Sequence, residues 1–145
     1  MSSSSPCPVA RATELLGDRW VLLLVREAFD GVRRFSDFQR SLGVARNILS
    51  DRLRRLVDGG ILALQPAADG SSYQEYVLTE AGDALFPVVV ALRQWGERHR
   101  FEPGEPHSRL VERRNGRAVP YMQPRTHSGK TLAPAASQVL KLARP

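Results

Sequence analysis

Between Phe35 and Leu56 the chain allows few folds. Phe35-Ser36-Asp37-Phe38-Gln39-Arg40-Ser41-Leu42 is short and amphipathic, and Gly43-Val44 interrupts it. From Ala45 the pattern resumes, with Leu49, Leu53 and Leu56 spaced i, i+4, i+7. Those leucines share one helix face and need a core to cover them. Two short helices around a glycine-containing turn make a helix-turn-helix. Ser36 followed by Gln39 is a capping-box pattern and predicts a helix start near Ser36. Opposite the leucines lie Arg46, Asn47, Ser50 and Arg54, three of them stacked four apart. Guanidinium, amide and hydroxyl groups contact phosphate oxygens and base edges, so this helix has the character to enter a major groove. The same residues also describe a helix pair that merely packs, and both readings stay open on this stretch alone.

The segment after the second helix favours nucleic acid. Gly59-Gly60 stops that helix, Ile61 to Leu64 reads as a strand, Asp69-Gly70-Ser71-Ser72 is turn chemistry, and Tyr73 to Leu78 reads as the returning strand. Two strands around a small polar loop, directly after a recognition helix, form a wing. This places Asp69, Gly70, Ser71 and Ser72 beside the DNA backbone, with Arg34 and Ser36 at the front of the helix-turn-helix. Arg52 and Arg55 fall to phosphate contact or to a structural role. Upstream, Pro8 to Leu16 reads as a helix, Gly17 ends it and Asp18 caps the next. Trp20 to Val25 is apolar on nearly all sides and predicts the buried centre of the domain. Val32 to Phe35 reads as a short extended piece. Thr79 caps a long helix over 79–100 whose Leu85, Val88, Val89, Leu92 and Trp95 form an apolar stripe; Pro87 is expected to kink it near Asp83 to Leu85. That stripe exceeds what one small core can bury, and a second copy of the chain would cover it.

Charge sharpens the picture. The formal net charge is +6 and the pI near 10.4, which favours polyanionic partners. Residues 1–100 carry 13 basic and 12 acidic side chains, whereas 101–145 carry 8 and 3, a net of +5. DNA contact in the front part must therefore be local and geometric. With one cysteine, Cys7, no internal disulfide is possible. The apolar runs are too short for a membrane span, Met1 to Ser5 is no signal peptide, and a cytoplasmic location is expected. His99, His107 and His127 match no ligand spacing, so no metal or cofactor is expected, and without a nucleophile–base set no enzyme. The predicted organisation is α+β. Residues 1–6 form a flexible end, 7–100 a winged-helix DNA-binding and dimerisation domain, and 101–145 a linker with a small β extension. In that extension Asn115-Gly116 is a hairpin signal, Ser128-Gly129 suggests a second turn and Val139 to Leu142 a last strand.

Cys7-Pro8-Val9-Ala10, Gly17-Asp18-Arg19-Trp20, Arg34-Phe35-Ser36-Asp37, Leu49-Ser50-Asp51-Arg52-Leu53-Arg54-Arg55-Leu56, Leu78-Thr79-Glu80-Ala81-Gly82 and Trp95-Gly96 occur in unbroken order. Together they resemble the HxlR-type winged-helix transcriptional regulators, relatives of the MarR-type regulators, over about residues 7–100. The resemblance implies a homodimer on a two-fold symmetric double-stranded DNA operator, with dimer contacts from the first helix and the helix over 79–100. It also implies half-sites about one helical turn apart. Two departures stand out: Gly43-Val44-Ala45 offers no capping side chain for the recognition helix, and about 45 further residues follow the long helix. Some members of the family use a cysteine ahead of the first helix as a redox sensor, and Cys7 matches that position. A helix N-terminus and Arg11 one turn on would favour its thiolate. The expected function is a DNA-binding regulator, a repressor, released by a redox signal or a small-molecule effector. The alternative from another class is a winged helix used for protein–protein docking.

Overall fold

The computed structural model describes residues 5–142 and comprises two compact units, the first ending at Val89 and the second beginning at Val90. The flexible end expected over residues 1–6 lies, for its first four residues, outside the described range. The first unit holds α1 (Pro8–Leu16), α2 (Arg19–Phe29), α3 (Phe35–Leu42), α4 (Arg46–Asp58), β1 (Leu62–Pro66), β2 (Gln74–Leu78), the one-turn α5 (Glu80–Asp83) and the start of α6 (Phe86–His99). As its apolar run predicts, α2 is central: it contacts α1, α3, α4 and β2. Its Val21, Leu24 and Val25 join Phe38, Leu49, Leu53, Leu56, Ile61 and Leu62 in one buried core. Each fully buried leucine there contributes about 1.5–3 kcal/mol relative to exposure. Asp18 begins α2, its Oδ1 accepting from the amides of Trp20 at 2.9 Å and Val21 at 3.2 Å.

The capping box expected of Ser36 and Gln39 is not formed. Arg34 holds the N-cap position of α3 and no side chain caps that helix. Phe35 packs against the core and draws the start one residue upstream, so Ser36 falls inside the first turn and Gln39 Nε2 donates to the Val44 carbonyl at 3.5 Å. Gly43 closes α3 at φ 62, a left-handed conformation that glycine adopts without a Cβ penalty. Buried Glu27 fastens α2 to α3 by accepting from Ser41 Oγ at 2.8 Å.

β1 and β2 pair antiparallel with Leu62 opposite Leu78 and Pro66 opposite Gln74. The extended piece ahead of α3 does not add a third strand; its one ladder-like bond runs from the Tyr76 amide to the Arg33 carbonyl at 2.8 Å. Beyond the wing, the helix expected over 79–100 is two helices. Pro87 is the second residue of α6 and has no N–H for the Asp83 carbonyl, so the chain breaks at Ala84-Leu85 instead of bending. Thr79 caps α5 by accepting from the Gly82 amide at 3.0 Å and itself donates to the Gly60 carbonyl at 2.5 Å. Val88, Leu92 and Trp95, spaced i, i+4, i+7, remain exposed on α6, and Val9 is 70% exposed on α1.

The second unit consists of the rest of α6 and an irregular chain held by two isolated antiparallel pairs, Val111 with Ala118 and Arg125 with Thr131. Gln94 clamps that chain to α6: its Nε2 donates to the Pro120 carbonyl at 3.0 Å and its Oε1 accepts from the Met122 amide at 2.8 Å. Turns lie at Asn115-Gly116 and at Ser128-Gly129, with φ of 71 and 88 at the two glycines. The strand expected at Val139 to Leu142 is absent. Among the described residues no backbone pairs with it, and Val139 and Leu140 are 79% and 85% exposed. α6 ends at His99, beside the boundary expected at residue 100, while the division between units falls within the helix.

Candidate nucleic-acid interface

The leucine stripe decides which side of α4 is free. Leu49, Leu53 and Leu56 are fully buried, which turns Arg46, Asn47, Ser50 and Arg54 outward, all four exposed. Ala45 precedes the helix in an extended conformation and supplies no cap, so α4 begins at Arg46 with its first amides unused by any side chain. Those amides and the positive end of the helix dipole suit a phosphate oxygen. Arg46 is held from below, its guanidinium carbon 5.0 Å from the centre of the Phe35 ring. Asn47, Ser50 and Arg54 make no side-chain hydrogen bond among the described residues, so their polar groups are available to a ligand.

Arg52 behaves differently from its neighbours. Its Nη2 lies 3.1 Å from Asp18 Oδ2 and its Nη1 2.9 Å from Asp51 Oδ2, with three quarters of the side chain covered. Bonding to Arg52 is the main reason the Asp18 carboxyl is held below its usual range, opposed by partial burial. Arg52 therefore pins α4 to the cap of α2 and keeps that helix at a fixed height on the core. Arg55, for which the sequence left phosphate contact or a structural role open, is exposed near the end of α4.

The wing is tied to the helix-turn-helix by the residues flanking it. Arg34 Nη2 meets Asp69 Oδ2 at 2.5 Å, and the same guanidinium lies 5.1 Å from the centre of the Tyr73 ring. Asp69 Oδ1 accepts from the Ser71 amide at 2.9 Å. Hydrogen bonding from Ser71, with Arg34 behind it, lowers the Asp69 pKa to about 2. Gly70 stands at φ 77 at the tip, with Ser72 exposed beside it. A second pair, Arg33 Nη1 to the buried Glu75 at 3.4 Å, braces β2 against the same segment. The contacts thus run unbroken from Arg46 over Phe35 to Arg34, Asp69 and Ser71, uniting the start of α4, the start of α3 and the wing. Ser36 is exposed one residue beyond Phe35 and makes no side-chain hydrogen bond among the described residues. Phe35 and Tyr73, the aromatic supports beneath Arg46 and Arg34, escape a reading of charge and periodicity. Only an aromatic residue next to each arginine-bearing turn hints at them.

Cys7 stands at the N-cap of α1, exposed, with its Sγ accepting from the Ala10 amide at 3.4 Å. Arg11, one turn on, directs its Nε to the Ser5 carbonyl at 2.6 Å.

The sequence profile of the HxlR-like helix-turn-helix family matches residues 15–103. An HTH-type transcriptional regulator of Mycobacterium tuberculosis, Rv3095, is 48% identical over 102 residues, which are 70% of this chain and 65% of that protein. The chain thus spans just under two thirds of the length of this curated relative. The crystal structure of PA1607, a candidate transcription factor, superposes with a TM-score of 0.91 at 50% identity, covering 95% of this chain and 96% of that one. The irregular chain after α6 is therefore largely shared with that structure. HypR, a redox regulator, superposes in its reduced form with a TM-score of 0.60 at 32% identity over 65% of this chain and 94% of its own. No helix among the described residues is long and apolar enough to cross a membrane.

Proposed function

This chain belongs to the HxlR-like helix-turn-helix family of transcriptional regulators, and from that premise we propose that it binds a two-fold symmetric DNA operator as a homodimer and represses transcription there. The observation that carries this reading is the exposed Arg46, Asn47, Ser50 and Arg54 face on a helix whose opposite side is wholly buried. Arg46 and Arg54 supply bidentate donors for guanine or phosphate, and Asn47 matches the edge of adenine. Arg34, Ser36, Gly70, Ser71 and Ser72 take the sugar–phosphate backbone, with Asp69 acting through Arg34 and Ser71. Arg52 positions α4 and does not read bases. The exposed Val88, Leu92 and Trp95 side of α6 and Val9 on α1 support pairing of two copies, which sets the spacing of the two reading helices.

Release by an oxidant is the signal the chain best supports. Cys7 is an exposed thiol at the start of a helix assigned to the dimer seam, and HypR is a redox regulator. Oxidation or bridging to the second copy's Cys7 would shift that seam and with it the reading helices.

A gel shift on the DNA upstream of the gene, across a salt series, tests the reading. A regulator retards one palindromic fragment tightly, with a steep salt slope. A protein-docking winged helix retards none. Diamide is expected to release the wild-type complex and to leave the Cys7→Ser complex intact; equal release of both removes Cys7 from the mechanism.

A further inference from the structure

We propose that the hairpin Arg113-Arg114-Asn115-Gly116-Arg117 is a second, sequence-independent site for the phosphate backbone of double-stranded DNA. It rests on the DNA-binding reading above and gives the chain after α6 a role in it. The turn is fixed by its own backbone. The Glu112 amide donates to the Arg117 carbonyl at 2.7 Å and the Gly116 amide to the Glu112 carbonyl at 2.8 Å, while Asn115 Oδ1 accepts from the Arg117 amide at 2.9 Å. These bonds leave the guanidinium groups of Arg113, Arg114 and Arg117 exposed and without a hydrogen bond or ion pair among the described residues.

Outside the proposed reading face of α4, most arginines of the first unit contrast with them. Arg26, Arg33, Arg34, Arg40 and Arg52 each face a carboxylate. At the hairpin three like charges crowd within five residues beside the single carboxylate of Glu112, which pairs with none of them among the described residues; the remaining repulsion is what a polyanion compensates. A duplex presents about one negative charge per 1.7 Å of axis, dense enough for one tight turn to meet several. Guanidinium forks match phosphate oxygens. An acidic protein would need an apolar anchor beside the charges, and residues 112–117 hold no apolar side chain. With no packing partner to orient the three guanidinium groups, they suit phosphates and not base edges.

Fluorescence anisotropy of the full chain tests this, on a random-sequence duplex and on the upstream fragment, across a KCl series. The Arg113→Ala/Arg114→Ala/Arg117→Ala variant removes three cations from each copy of the proposed homodimer and is expected to lower the salt slope by about 5 on both duplexes while the ratio of the two affinities stays unchanged. The corresponding triple Lys variant keeps the charges and is expected to retain most of the slope. Arg54→Ala is the opposite control: it lowers the affinity ratio. An unchanged slope in the triple Ala variant, beside specific binding by the wild type, overturns the hairpin site alone. So does a fall in the affinity ratio, which would mean base reading, or an equal loss in the Lys variant. Wild-type chain that binds neither duplex overturns the DNA-binding reading itself.

Discussion

A carboxylate in a loop proposed to approach phosphates repels its own ligand unless other groups hold its charge, and Asp69 is held by the Ser71 amide and Arg34. Its pKa lies at about 2 against an ordinary 3.8. Because the folded value is depressed, the stability it contributes is fully present above pH about 4 and is lost as pH falls toward 2. An NMR titration following the Ser71 amide is expected to show a midpoint near 2, and Asp69→Asn to abolish that transition. The next residue-level contrast is Arg52 with Arg54. Arg54→Ala is expected to weaken operator binding by about 1–3 kcal/mol with relaxed base preference. Arg52→Ala, which strips the α2 cap of its partner, is expected to lower the melting temperature and to weaken all DNA sequences alike. Thermal melts beside binding competitions separate the two. Identity alone does not tell these arginines apart, since Asp18 lies 34 residues away in sequence; only the fold brings it to Arg52.

At the scale of elements, α4 starts without a side-chain cap, so a cap is a stabilising change within reach. Ala45→Ser is expected to raise stability by about 0.5–2 kcal/mol in urea unfolding. Gly82 presents the reverse case, because a Cβ there would stand 2.2 Å from the Ile61 carbonyl oxygen. Gly82→Ala must push α5 off the end of β1, at a cost of about 1–3 kcal/mol by the same measurement. The leucine spacing made α4 legible, the apolar run α2, Pro8 and Gly17 the ends of α1, and the turn at Asp69-Gly70-Ser71-Ser72 the two wing strands, because these signals coincide with the faces or ends that the core fixes. Signals of two or three residues were less faithful. Ser36 and Gln39 lost their capping role to the burial of Phe35, and Pro87 broke a helix it was expected only to bend. Val139 to Leu142 has strand-forming residues but no edge to pair with, and pairing is a property of the neighbour. On the interface, the outward set on α4 followed from the leucine spacing. The tether from Arg34 to Asp69 spans 35 residues and left no local trace.

For the whole molecule, assembly is the step on which two-site binding depends. Trp95 is 58% exposed on α6, in line with Leu92 and Val88, so Trp95→Glu places a charge in the proposed seam. Light scattering is expected to find a dimer for the wild type and a monomer for this variant, with operator affinity falling accordingly. A wild-type monomer would remove the paired-helix arrangement. The internal use of Arg52 has a consequence for how much information such a regulator can extract. In the proposed complex the span from Arg46 to Arg54 inspects the bases, about 12 Å of helix, or roughly three to four base pairs at about 3.4 Å each. Words that short recur by chance about every 64 to 256 base pairs, and even a doubled word of about six to eight recurs roughly dozens to a thousand times in a genome of a few million. The remainder of the address must be written in the distance between the two words and in the stiffness of the duplex joining them.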